Sequence, residues 1–520
     1  MTVKKTTTSY LIVLLAGLGL YGLSCAPAVL WQDSGLFIYR IWHNDIQGDL
    51  GLALAHPLYI LIGMAAKCIP LGDFAHRVNF LSAVFGAVAA ANLFLLVRLW
   101  LGKNVPAVIA AMTLGLGWTF WFNAAIAETY TLYVAQMFAE LIVLLQYIRT
   151  KRIGYLYLLG LLNGLTIANH LWGVFGFACY TVLVIVLLAR RQIKLKHFGI
   201  VVLLWLIGAA PYEYLVIKNL IVTGDVGGTL ASAAFGHGWQ GAVLNTSISI
   251  KMVWENMVFI LLNFPTPNLL FFFVGLWVLR RAAPSRSFAN IIVAMLILHF
   301  VFAFRYTVPD RHAFFLPFYC LAAVLIGLGV DAFFNRSSRR MVVIAVLLFS
   351  LLPIPIYAVM PAFARKTYKA LEQRRQRPYR DEYTYWFWPW KTGYRGAERF
   401  ANEALDTVEE NAIIYAYPTD AHVLLYVQEV KGKRRDVKIV SDYNSSEGAP
   451  VLNENTVAGL MADSALYVVS PVKGYCLPFL LDNYDFVRVG VLWRAVEKDK
   501  DSIGFGLKKS VINTCCVEGG

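Results

Sequence analysis

The sequence predicts a polytopic α-helical membrane protein with about 11 transmembrane helices, ending in a soluble α/β domain. Three observations predict it. Of 520 residues, 58% are apolar and only 15% charged, where soluble domains run nearer a quarter charged. Apolar runs recur that are long enough to span a bilayer, which takes about 20 residues. The charges also divide the chain. Residues 1–361 hold 24 Lys/Arg and 11 Asp/Glu, a net of +13, while residues 362–520 hold 22 and 21, a net of +1. A boundary is therefore expected near 361, with domains at 1–361 and 362–520. A nucleic-acid partner would need a basic face on a soluble module, and the soluble part is nearly neutral. With seven cysteines and no repeat, disulfide-scaffold and fibrous classes are excluded.

Taken in order, Lys4 and Lys5 precede the apolar stretch 10–30. Its only cleavage signal is the weak Ser24-Cys25-Ala26, so an uncleaved first helix is expected. Further spans are expected at 78–100, 105–123, 130–148, 154–169, 172–189, 198–217, 266–279, 288–304, 313–333 and 341–360. With the N-terminus inside, the inner loops carry Lys4/Lys5, Arg98/Lys103, Arg149/Lys151/Arg152, Arg190/Arg191/Lys194/Lys196, Arg280/Arg281/Arg286 and Arg336/Arg339/Arg340. That is 17 of the 24 basic residues on one side, in short loops, as the positive-inside rule requires. Segment 53–71 is apolar too, but counting it would invert every later loop. It is expected as an interfacial or re-entrant helix, with His56-Pro57 near its start. The odd number of spans puts 362–520 outside. The basic run Arg365, Lys366, Lys369, Arg374, Arg375, Arg377, Arg380 opposes this, though the rule weakens for long translocated domains. Within the tail, helices are expected at 398–410 and 420–430. Strands are expected at 412–417, 437–440, 465–470 and 486–493. Residues 383–390 (YTYWFWPW) form an aromatic cluster suited to interfacial anchoring.

The acids of the membrane part gather on one side. Nine of its 11 fall in outer segments or at outer helix ends: Asp33, Asp45, Asp49, Asp73, Glu128, Glu213, Asp225, Glu255 and Asp310. Solvated outer loops would also explain such a gathering. Asp33 is the sharpest position, because it follows the first helix directly in Trp31-Gln32-Asp33-Ser34-Gly35. A carboxylate at a membrane boundary is costly unless solvated or paired, which makes it a functional candidate. Transfer of a group from a phosphate ester to a hydroxyl needs a base for the hydroxyl proton and a cation for the leaving phosphate. Asp33 suits the first role. Arg77, Lys218, Lys251, Arg305 and Arg311 are the outer basic residues available for the second. Arg305 and Arg311 flank a polar turn containing Asp310, which an Arg–Asp pair would equally tie. Glu128 is placed to bind substrate or to cap the helix after it. Asn169-His170 is placed to pack helices or to hydrogen-bond a ligand. His56, before Pro57, orients Asp33, binds substrate by touching its phosphate, or only shapes a turn.

These residues together resemble a family. Asp33-Ser34-Gly35, Ala55-His56-Pro57-Leu58-Tyr59 and Phe74-Ala75-His76-Arg77-Val78-Asn79 resemble the first outer loop and second helix of one branch of the GT-C membrane glycosyltransferases, the protein O-mannosyltransferase-like branch. Ala127-Glu128-Thr129-Tyr130, Asn169-His170-Leu171, Asp310-Arg311-His312-Ala313-Phe314 and Leu425-Tyr426-Val427-Gln428-Glu429 continue the likeness over most of residues 10–445. The resemblance implies an outward-facing site. There a sugar, mannose by family, passes with inversion from a polyprenyl-phosphate sugar to an acceptor hydroxyl on a protein or glycan. It implies Asp33 as base, His56-Pro57 as the His-Pro element, and Gly224-Asp225 as the acid of a later outer loop. Arg77, Arg305 and Arg311 would receive the phosphate, and Glu128, Asn169, His170 and Asp310 would contact substrate. It implies no metal and no cofactor, the lipid-linked sugar being a substrate. Two departures stand out. Leu36 replaces a Glu common in relatives, so a second carboxylate beside Asp33 is missing unless Asp45 or Asp49 folds back. The segment after Asp225 is also unusually rich in glycine.

The aromatic cluster at 383–390 is then also a candidate sugar-stacking platform. A transporter or flippase, or a non-catalytic scaffold, are the competing functions. The first predicts broken, repeated halves, and no such repeat is visible. Cys476 has Cys515 and Cys516 as possible partners in an outer, oxidising compartment. The expected location is a prokaryotic plasma membrane, or the endoplasmic reticulum in a eukaryote, with the N-terminus cytoplasmic.

Overall fold

Helices follow directly from the apolar runs. A computed structural model describes residues 3–70, 72–308, 310–334, 340–371 and 375–498, and the fold is 69% helical. Among the described residues seven helices are long and apolar enough to cross a membrane: Thr6–Ser24, Phe74–Leu101, Tyr130–Thr150, Leu195–Thr223, Arg286–Arg305, Ala313–Phe334 and Arg340–Thr367. Two bent pairs qualify jointly: Asn104–Gly115 with Trp118–Ala124 at 70°, and Ile250–Asn263 with Pro267–Ala282 at 109°. Each pair counted once gives nine. Helices Gly154–Asn169 and Gly173–Ala189, of 16 and 17 residues, complete the eleven segments expected from sequence. Pro265 and Pro267 explain the sharper bend, since proline cannot continue the hydrogen-bond ladder and restrains the residue before it. The helix Ile250–Asn263 leading into that bend was not expected. Segment 53–71 forms a helix of only eight residues, Pro57–Met64, flanked by two short 3-10 turns. At about 12 Å it cannot cross a bilayer.

The loops sort to two ends of the bundle. At one end the Ala26 N–H donates to the Ala125 carbonyl at 2.9 Å, and the His237 N–H to the Leu50 carbonyl at 2.9 Å. There too His56 Nδ1 lies 2.8 Å from the Asn169 carbonyl. At the other end Arg149 donates to the Leu99 and Trp100 carbonyls, Trp100 to the Ala282 carbonyl, and Lys103 to Asp331. These are the two sets of loops that the charge pattern separated.

The tail holds a five-stranded sheet: β1 (Ile413–Tyr415), β2 (Lys438–Val440), β3 (Leu466–Val468), β4 (Tyr484–Val489) and β5 (Leu492–Glu497). Its order is β2-β1-β3-β5-β4, with β1 parallel to β2 and β3, and β5 antiparallel to β3 and β4. The single strand expected at 486–493 is instead a hairpin. Gly490, at φ 58°, turns the chain with Val491, and the apolar residues on both sides hid the turn. The helices Gly396–Thr407 and Pro418–Leu425 pack on the sheet. One apolar core joins this tail to the first outer loop. It contains Trp31, Phe37, Ile41 and Tyr59 together with Phe400, Leu424, Ile439 and Leu492.

The aromatic cluster points inward rather than to the interface. Tyr383 and Tyr385 are buried, Trp388 and Trp390 lie 6.2 and 6.0 Å from Trp121, and Trp386 stacks on Phe122 at 5.7 Å. Cys476 is free and buried. Its expected partners Cys515 and Cys516, like Arg336, Arg339 and Arg374, lie outside the described residues.

Candidate functional site

Asp33 opens the helix Asp33–His43, which runs from the end of the first span into the outer loops. The residue before it, Gln32, has φ 63° and ψ −142°. This conformation is costly for any residue but glycine and usual only where surroundings enforce it. The turn sets Asp33 at the mouth of a small cavity. Its walls include Asp33, Ser34, Asn123, Glu128, Tyr130, Asp310, His312, Tyr385 and Trp386, with Trp31 and Phe122. The cavity holds about 40 Å³, little more than one water's share of liquid volume, about 30 Å³. Ser34 Oγ is buried beside Asp33 and has no hydrogen-bond partner.

Three carboxyl groups thus converge from distant parts of the chain. Asp33 is solvent-exposed at the cavity, yet the protein packed around its carboxyl pushes it up to about 7 by desolvation, with Asp310 adding to the shift. Glu128 is held well above the usual carboxylate range, first by burial, then by Asp33 and Asp310. Burial also raises Asp310. Like charges this close cannot all ionise, so the three titrate as a set. Beyond Tyr130 lies a second buried cluster. His56 and His170 stand 4.9 Å apart between ring centroids, and the His170 ring is 4.0 Å from Trp172. Burial lowers His56 to about 4 and His170 well below the imidazole range, so both rings are neutral at pH 7.

The residues singled out from sequence divide accordingly. Asp33, Glu128 and Asp310 meet in the cavity. Glu128 does not cap the following helix, whose N-cap residue is Thr129, with no side-chain capping bond. Asn169 donates to the Thr129 carbonyl at 3.2 Å, and His56 and Asn169 are joined through the Asn169 carbonyl. They, with His170, sit behind the cavity wall rather than in it. Arg311 is 8% exposed and ion-paired with Glu255, not with Asp310. Arg77 donates to the Ala66 and Ile69 carbonyls. Arg305 donates to the Asn245 carbonyl at 2.6 Å. Asp225 is exposed and caps the helix Val226–Phe235 by accepting from the Gly228 N–H at 2.9 Å. The structure brings none of the last three to the cavity. Asp45 pairs with Arg40, and Asp49 accepts from Asn444 at 2.9 Å, so neither folds back to Asp33. Sequence reasoning missed Ser34, Tyr130 and His312 as site residues, while Tyr385 and Trp386 belong to the aromatic run offered as a sugar-stacking platform. For the first three, their place in the quoted motifs was the available signal. Among the described residues no group of three or more His, Cys, Asp or Glu side chains is arranged to hold a metal ion.

Comparison with known proteins bears on this geometry. Residues 50–195 match the family model of the protein O-mannosyl-transferase TMEM260 N-terminal domain. ArnT from Cupriavidus metallidurans bound to undecaprenyl phosphate is similar, with a TM-score of 0.61 at 14% identity, over 95% of this chain and 98% of that one. Its apo form gives 0.58 at 15% identity, over 94% and 98%. The fold is GT-C. The archaeal oligosaccharyltransferase AglB from Archaeoglobus fulgidus, in complex with an inhibitory peptide and a dolichol-phosphate, matches over 83% of this chain and 69% of that one. Its identity is 13% and its TM-score of 0.43 is too low to argue from. The family model over residues 50–195 and the shared fold agree with the resemblance read from the sequence, and the apolar helices fit a multi-pass membrane protein.

Proposed function

We propose that this chain transfers a sugar, mannose by family, from a polyprenyl-phosphate sugar to an acceptor hydroxyl, a protein Ser or Thr by the same likeness. The observation that carries the proposal is the meeting of Asp33, Glu128 and Asp310 in one cavity at the loop-rich end of the bundle. Asp33, pushed up to about 7, is matched to proton abstraction near neutral pH, where a base works best. In the reaction the acceptor oxygen forms a bond to the anomeric carbon while its proton passes to Asp33. The bond from that carbon to the phosphate oxygen breaks on the opposite face, its electron pair leaving with the phosphate, so configuration inverts. Glu128, held well above the usual carboxylate range by burial and by Asp33 and Asp310, donates a hydrogen bond to a sugar hydroxyl, and Asp310 binds the sugar from the same wall. Arg311, next in sequence to the cavity residue Asp310, is the cation assigned here to the leaving phosphate. The prenyl chain stays among the helices, and the lipid-linked sugar is substrate rather than cofactor. The positive-inside pattern supports an extracytoplasmic site, with residues 362–520 on the same side and the N-terminus cytoplasmic.

The test is transfer from a polyprenyl-phosphate mannose in nanodiscs, with wild type beside Asp33→Asn. Expected is transfer by wild type and a loss of about 10²–10⁴-fold in the variant, the range of one base's contribution. Equal transfer by both proteins would remove Asp33 as base. No transfer by wild type with several donor sugars would favour the transporter or scaffold readings.

A further inference from the structure

The conformation that aims Asp33 is not held by the membrane helices. The Gln32 N–H donates to the Thr419 carbonyl at 3.0 Å, so the left-handed residue before Asp33 is tied to the tail. Thr419 is in turn fixed from below. Its hydroxyl accepts from Arg377 Nη2 at 3.3 Å. The next residue, Asp420, is fully buried, accepts from Arg377 Nε at 3.0 Å and is ion-paired with Arg375 as well. The same guanidinium of Arg377 lies 5.8 Å from the Trp31 ring. Gly35 completes the grip. A Cβ there would stand 2.6 Å from the Leu30 carbonyl oxygen and 3.5 Å from the His422 side chain, so the segment passes between the first loop and the tail with no room to shift. None of Arg375, Arg377 or Asp420 lines the cavity.

A buried carboxylate must be paired, and one flanked by two guanidiniums is rigid as well as satisfied. A strained residue persists only where its surroundings over-determine it. The two facts meet at Thr419. We propose that Asp420, clamped by Arg375 and Arg377, is a positioning residue for Asp33: it fixes the Thr419 carbonyl that pins Gln32, and so directs the Asp33 carboxylate into the cavity. The proposal rests on Asp33 acting as the base. It gives a role to part of the basic run after the last span, which the charge rule left unexplained. On this account Arg375 and Arg377 are retained in an extracytoplasmic segment because they serve the tail's grip on the first loop.

The test uses the full chain in nanodiscs and two readouts. Hydrogen exchange follows the amides of residues 31–36, with those of 74–101 as an internal reference. Steady-state transfer from polyprenyl-phosphate mannose separates kcat from donor KM. Asp420→Asn keeps the side-chain shape and removes the charge. Expected are faster exchange at 31–36 with 74–101 unchanged, and a kcat lower by about tenfold to hundredfold, the range that small misplacements of a reacting group produce. Donor KM should stay within about twofold. Arg377→Lys should retain more kcat than Arg377→Gln. Tyr467→Phe, which removes a tail hydrogen bond to Glu409 remote from Gln32, should alter neither readout. Unchanged exchange at 31–36 in Asp420→Asn would overturn the proposal. So would a loss of kcat that Tyr467→Phe reproduces at equal loss of thermal stability, or a loss confined to KM. If wild type transfers no sugar, the base role fails separately. Exchange then decides the clamp, a rise at 31–36 supporting it and no rise overturning it.

Discussion

Asp33 answers two opposed demands. A base must be ionised to accept a proton, while burial among carboxyl groups favours the neutral form. With its ionisation pushed up to about 7, kcat should fall about tenfold per pH unit below that value and level off above it. The same shift fixes the sign of its effect on stability. A carboxyl raised in the folded state contributes stability that is fully present below its unfolded pKa of about 3.9 and is lost as pH rises through about 7. Asp33→Asn should therefore be inactive yet more stable than wild type at pH 8. The gain should be about 1 kcal/mol once screening by water in the cavity is allowed for, should be clearly smaller at pH 5, and should vanish only below about pH 4. Thermal unfolding of both proteins in nanodiscs at the two pH values checks this, and a less stable variant at pH 8 would contradict it. Asp33 was legible because a carboxylate directly after a membrane helix is anomalous on energetic grounds alone. Arg77 and Arg305 misled for an equally physical reason. Each is satisfied by backbone carbonyls, and no residue type in the sequence announces a carbonyl partner.

At the scale of elements, hydropathy made the spans visible because each must satisfy its backbone internally and face lipid or protein with apolar side chains. The helix Asp33–His43 was not visible, since it is only 11 residues long and follows directly on the first span, with residues 34–41 buried between the bundle and the tail. Contacts between spans were likewise hidden. Helices Gly154–Asn169 and Leu195–Thr223 meet backbone to backbone at two glycines. A Cβ on Gly164 would lie 2.2 Å from the Trp205 carbonyl oxygen, and one on Gly208 2.3 Å from that of Leu161. Small residues at such crossings allow the close approach that drives helix association in lipid. Gly164→Val should force the pair apart and lower stability by about 1–3 kcal/mol, the usual cost of overpacking. Gly154→Val, where nothing lies within 4 Å, should not overpack. Thermal aggregation in one detergent compares the two, and equal midpoints would refute the close crossing.

For the whole molecule, the last apolar span runs on to Thr367, past the charge division near residue 361, and the tail is not an appendage. Trp31 and Phe37 of the first loop share a core with Phe400 and Leu424 of the tail, and Trp31 Nε1 donates to the Tyr394 hydroxyl at 2.6 Å. Composition cannot show this, because a shared core and two separate cores hold the same residues. What composition does support is orientation, and the structure makes it testable. Every loop assigned to the outside reaches the end of the bundle that carries the cavity, and Cys68 is exposed at that end, near the backbone carbonyl of Ile69 that accepts from Arg77. In a Cys515→Ser, Cys516→Ser background, a membrane-impermeant maleimide should label Cys68 in intact cells. A cysteine placed at the exposed Arg152 of the opposite end, in the same background with Cys68→Ser, should label only after permeabilisation. The reverse pattern would turn the molecule over and place the three carboxyl groups on the cytoplasmic face. The lipid-linked donor would then have to present its sugar there, and the positive-inside count would have failed at six successive loops, a failure that the short lengths of those loops make physically expensive.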